Sequence, residues 1–168
     1  TFVGGMASSW SEFVHGTACG HAVQIYGEPA ELAAPVAAYL VYGFEAGEPA
    51  VLVATPEHLP EFERALAARG WKRERIEAAG LLFAADAETT LTAIMGPNGF
   101  PSASAFDAVA GTLLDDIAAH FPERHVRAFG EMVDLLAARG QLEAAVSLEE
   151  LWNSLTRSRP FFSLLCAY

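Results

Sequence analysis

The chain has 168 residues, 52% hydrophobic and 18% charged, which is enough for one globular unit with a substantial core. Ten basic residues against 21 acidic ones leave a net charge of −11, which would repel a nucleic-acid backbone or an anionic lipid surface, so direct binding to either is not expected. Lys72 is the only lysine, so any chemistry that needs one must use it. Cys19 and Cys166 do not make a disulfide framework, no apolar run approaches the roughly 20 residues of a membrane span, and no secretory signal opens the sequence, so a cytoplasmic location is expected.

In chain order, Gly4, Gly5, Ser8 and Ser9 suggest that residues 1–18 form a loose arm or expression remnant, with a single domain over residues 19–168. His21-Ala-Val-Gln-Ile-Tyr26 is a strand candidate. Leu32, Val36, Leu40 and Phe44 then repeat at helical spacing up to the stop at Gly47. Ala50 to Ala54 is a continuous apolar run, as expected for a strand covered on both faces. Thr55 as N-cap and Pro56 at the first helical position predict a helix that buries Leu59, Phe62 and Leu66 and ends at Gly70. Leu81 to Ala85 is a third strand, followed by a helix capped by Asp86 that buries Leu91, Ile94 and Met95, and by a loop over Gly96 to Pro101. A long helix from Ser102 presents Phe106, Val109, Leu113 and Ile117, and ends at Pro122. Val126 to Phe129 is a fourth strand. Two helices follow it, one burying Met132, Leu135 and Leu136, the other Leu148, Leu151, Trp152 and Leu155, and Phe161 to Ala167 closes the chain as a fifth strand. Repeated β-to-α units of this length predict an α/β fold, doubly wound, with a mostly parallel sheet and helices on both faces.

In such sheets ligands bind beyond the carboxyl ends of the strands. That rule nominates Tyr26, Gly27 and Glu28, Thr55, Glu57 and His58, Asp86, Gly130 and Glu131, and Cys166 with Tyr168. Thr55 and Asp86 are adequately explained as ordinary N-caps. Glu131 stands at a strand mouth, where either a ligand or the dipole of the following helix accounts for a carboxylate. A phosphate loop needs Gly-x-x-x-x-Gly-Lys followed by Ser or Thr. The first turn here, Gly27 to Leu32, offers two carboxylates and no lysine, and a Gly-x-Gly-x-x-Gly fingerprint is missing too. Nucleotide hydrolysis is therefore disfavoured. Cys166 lies in a strongly apolar strand and Ser163 lacks a Gly-x-Ser-x-Gly elbow, so no catalytic residue is assigned and no enzyme or cofactor is expected. His15, Cys19 and His21 form a His-x-x-x-Cys-x-His group that matches no strong zinc spacing, and His58, His120 and His125 are scattered. Alternation places His21, Val23 and Ile25 on one face of the first strand and Ala22, Gln24 and Tyr26 on the other. A histidine opening a buried strand has an ordinary structural use, but polar Gln24 and Tyr26 in a central strand favour a cavity that employs them.

The run His21-Ala-Val-Gln-Ile-Tyr26, the stretch from Glu45 to His58, Arg127-Ala-Phe-Gly-Glu-Met-Val133, Leu148-Glu-Glu-Leu-Trp-Asn153 and Phe162-Ser-Leu-Leu-Cys-Ala-Tyr168 together resemble the MEDS domain, the sensory domain of methanogen and methylotroph proteins and of the dichloromethane-responsive repressor. The resemblance covers nearly all of His21 to Tyr168. It implies a RecA-like or KaiC-like core without its phosphate loop, and a sensor of small molecules joined to a histidine-kinase-like, anti-sigma or DNA-binding output module. The family's first-strand histidine and its aromatic partner map onto His21 and Tyr26, and its Phe-Gly-Glu-Met motif onto Phe129 to Met132.

The leading expectation is a non-catalytic bacterial regulatory domain that binds a small, apolar ligand among His21, Gln24, Tyr26, His58, Phe129 and Glu131 and controls an output module absent from this sequence. One alternative is an interaction or homo-oligomerisation module with Trp71, Phe100 or Tyr42 at its surface. Another is a metal or haem sensor using His15, Cys19 and His21.

Overall fold

Alternating strand and helix signals resolve, in a computed structural model that describes residues 2–4, 10–15 and 20–168, into one six-stranded sheet. Its strands are β1 (Phe2–Gly4), β2 (Gly20–Gln24), β3 (Ala50–Ala54), β4 (Leu82–Asp86), β5 (Val126–Gly130) and β6 (Phe162–Ala167). The order across the sheet is β1-β2-β6-β5-β3-β4; β1 runs antiparallel to β2 and the other neighbours are parallel. The five expected strands are all present, and the sheet is doubly wound.

One face is covered by α1 (Trp10–His15), α2 (Pro29–Glu45), α3 (Leu59–Ala68) and α4 (Arg73–Ala79). The other carries α5 (Ala87–Ile94), α6 (Ala103–Phe106), α7 (Thr112–His120), α8 (Met132–Ala138) and α9 (Leu142–Ser158). Alternation along β5 divides the core: Val126 and Ala128 face the α5–α9 layer, Phe129 the α2–α3 layer. All five residues of β3 are buried, as its unbroken apolar run requires.

Within residues 1–18, β1 pairs with β2, and α1 sinks Phe13 and Val14 into the core. Three local expectations are corrected. The helix expected from Pro56 starts at Leu59, because residues 55–58 form a turn in which the Thr55 carbonyl accepts the amides of His58 and Leu59. Between α3 and β4 the chain inserts α4, a seven-residue helix with no buried residue and hence no apolar stripe to betray it. The long helix after Ser102 is interrupted by a π-helical turn at Asp107–Gly111, where Arg159 bridges Asp107 and Asp115.

Buried Arg127 ties the α2 face together. Its Nε donates to Glu48 at 2.7 Å, its Nη1 donates to the Val14 carbonyl at 2.7 Å, and its guanidinium lies over the rings of Tyr39 and Tyr42.

Candidate functional site

The crossovers from β3 and β5 leave in opposite directions and onto opposite faces, so these neighbouring strands flank the topological switch point. Their register, Val53 beside Gly130, brings Thr55 and Glu131 together at the carboxyl ends. Glu131 precedes α8 but turns away from it. Its Oε2 accepts the Thr55 amide at 2.7 Å and its Oε1 lies 2.6 Å from His58 Nδ1. At 1% exposed, this carboxylate needs both partners to offset its burial. It thus closes the turn before α3 rather than compensating its own helix dipole.

His58 stands edge-on to Tyr26 at 6.3 Å and to Phe62 at 6.5 Å, and Phe62 packs against Phe129 at 5.2 Å. Tyr26 donates its hydroxyl to Asp134 at 2.8 Å, and burial, then that carboxylate, raises its pKa. The structure therefore gathers Tyr26, His58, Phe129 and Glu131. Gln24 does not join them: its side-chain amide donates to the neighbouring Ile25 carbonyl. In the first β-to-α turn, Glu31 Oε2 accepts the Gly27 amide at 3.0 Å. A side-chain carboxylate thus occupies an amide that a phosphate loop would offer to its ligand.

His21 faces the opposite layer, beneath α9, where its Nδ1 is 3.0 Å from Asn153 Oδ1 and its Nε2 3.1 Å from Glu149 Oε2. One ligand atom each from His21, Glu149 and Cys166 lies within 4.8 Å of the others. Burial raises the pKa of Glu149, opposed by His21 and by a hydrogen bond to Tyr168; burial and then Glu149 raise that of the Cys166 thiol. His15 sits on α1, on the other side of the sheet, with its ring against Tyr42, so the structure does not bring it to His21. Cys19 lies outside the described residues. Glu149 and Asn153 escaped the sequence reading, although two polar residues four apart beside the apolar stripe of α9 were a usable signal.

Concavities also lie beside and beyond these clusters. A groove of about 560 Å³ lies at the amino ends of the strands, lined in part by Glu48, Arg124, His125 and Phe161. A more enclosed, more apolar cleft of about 380 Å³ separates α3 and α4 from β3 and β4, with Leu52, Leu59, Leu66, Ile76 and Leu82 in its walls. Trp71 also lines this cleft. It is only 4% exposed, donates from Nε1 to Glu45 at 2.7 Å and is covered by the Arg75 guanidinium, which corrects its expected place on an exposed interface. Among the described residues no helix is long and apolar enough to cross a membrane.

A family model described as "MEDS: MEthanogen/methylotroph, DcmR Sensory domain" matches residues 20–168. No curated protein gives a significant match to the chain.

Proposed function

The chain belongs to the MEDS family of sensory domains, and on that footing we propose that it is a non-catalytic regulatory domain whose signal is a small, largely apolar molecule taken up in the cleft between α3, α4 and the β3–β4 edge. The observation that carries this reading is the adjacency in sequence of the cleft wall and the switch point. Leu59, in the cleft wall, directly follows His58, which holds Glu131 at the head of α8. The volume, about 380 Å³, falls within the range of small-molecule pockets. A molecule wedged against Leu59 and Leu66 displaces α3, and the His58–Glu131 bridge passes the shift to β5 and α8. Ligand affinity that differs between the two arrangements is then the source of the signal to an output module.

Thermal unfolding in the presence of short-chain alcohols and halomethanes tests the proposal. A binder at 100 times its Kd should add about 2.7 kcal/mol of stability. Ala84→Phe, introduced from an exposed position on the cleft wall, should fill the space and abolish the gain. A gain undiminished by Ala84→Phe removes the cleft as the site, and no gain from any compound removes the ligand class.

A further inference from the structure

Strand alternation and helix periodicity converge on one buried spot unrelated to the cleft. In the β2–β6 register His21 pairs with Leu164 and Val23 with Cys166, so His21 and Cys166 both face α9, while Ala22 and Leu165 face the opposite layer. Glu149 and Asn153, one turn apart on α9, come down onto them.

Asn153 Oδ1 can only accept, so His21 Nδ1 carries the proton donated to it at 3.0 Å, and Nε2 is the nitrogen turned toward Glu149. The imidazole is 7% exposed, and its Nε2 makes no hydrogen bond among the described residues, although Glu149 Oε2 lies 3.1 Å away. Glu149 Oε1 is likewise buried without a hydrogen-bond partner. A nitrogen and a carboxylate oxygen at that distance need a cation between them, which a proton on Nε2 supplies as an ion pair and a metal ion supplies as a shared ligand. Cys166 adds a sulfur, and the three donor atoms lie within 4.8 Å of one another.

From this geometry we infer that His21, Glu149 and Cys166 form a binding site for a divalent transition-metal ion of the zinc class, held by His21 Nε2, a Glu149 oxygen and the Cys166 thiolate. One nitrogen, one oxygen and one sulfur suit zinc; calcium and magnesium take all-oxygen shells. Binding forms a metal–sulfur bond and sends the thiol proton to solvent. Asn153 positions the imidazole, and three protein ligands leave the fourth tetrahedral place open. The site is independent of the sensing proposal.

Cobalt(II) titration of the chelator-treated full chain reads the site directly. We expect one equivalent to produce a thiolate-to-cobalt charge-transfer band that zinc displaces, lost in Cys166→Ser and His21→Gln and kept in Cys19→Ser. Asn153→Ala should weaken affinity by about 10- to 100-fold. X-ray absorption of the zinc-loaded unmodified chain needs no variant: one sulfur at about 2.3 Å with nitrogen and oxygen neighbours is the expected shell. A shell without sulfur, no cobalt band, or a band lost in Cys19→Ser and kept in Cys166→Ser overturns the inference.

Discussion

Glu131 and His58 belong to different β-to-α units, yet the Glu131 carboxylate reaches across the switch point to within 2.6 Å of the His58 imidazole while also accepting the Thr55 amide. Removing the carboxylate strands a buried amide as well as the imidazole, whereas removing the imidazole leaves the amide satisfied. Glu131→Ala should therefore cost about 2–3 kcal/mol and His58→Ala about 1 kcal/mol. Urea unfolding of the two variants and their double mutant gives the coupling; additive losses would show that the bridge contributes nothing.

Gly43 is required by the path of Arg127. A Cβ there would come within 2.6 Å of Arg127 Cδ and 2.9 Å of its Nε, and this side chain is fully buried, with no room to yield. Gly43→Ala should destabilise by about 1–3 kcal/mol through overpacking. Arg127→Met should cost about 3–5 kcal/mol by leaving Glu48 buried and uncompensated, and adding Glu48→Gln should recover part of that loss. Equal stability of the single and double variants would refute this account of the pair.

His125 makes stability pH-dependent. Burial, and then the charge of Arg127, lowers its pKa from 6.5 to about 4, and its Nε2 lies 2.9 Å from Ser163 Oγ. Between those values the unfolded chain takes up a proton that the folded chain refuses. Stability from this residue is thus complete above pH 6.5 and lost as pH falls toward 4, with a total on the order of 3 kcal/mol. His125→Gln should flatten the unfolding free energy across that window. An imidazole that NMR shows titrating near 6.5 in the native protein would contradict the expectation.

Trp71 serves as a reporter for the cleft it lines. Trp71→Phe keeps most of the apolar contact and loses the hydrogen bond to Glu45, for about 1 kcal/mol. An apolar compound bound in the cleft should quench tryptophan emission in the unmodified chain and leave Trp71→Phe, with Trp10 and Trp152 remaining, unaffected. Equal quenching in both places the compound elsewhere.

Hydrophobic periodicity determined the parallel-strand architecture, because β3 is apolar throughout, β6 is apolar but for Ser163, and the helices between strands carry stripes at the proper spacing. Turn chemistry determined the absence of a phosphate loop, since Gly27 to Leu32 holds carboxylates and no lysine. Asp86 behaves as the N-cap it was read to be, accepting the Thr89 amide at 2.7 Å. The rest was not legible, because it depends on which layer each element joins. α4 buries none of its residues and so carried no stripe, and the helix after β3 begins late because Glu131, 76 positions onward, holds the Thr55 amide. The sequence by itself determined that His58 and Glu131 sit at strand ends and that His21 opens a strand. Only the tertiary structure decided that the first two meet across the switch point, while His21 is turned under α9 to Glu149, Asn153 and Cys166. The physical reason is that sequence periodicity is a local property of each strand and helix, whereas a buried polar cluster is assembled from strand order, register and the face each helix covers.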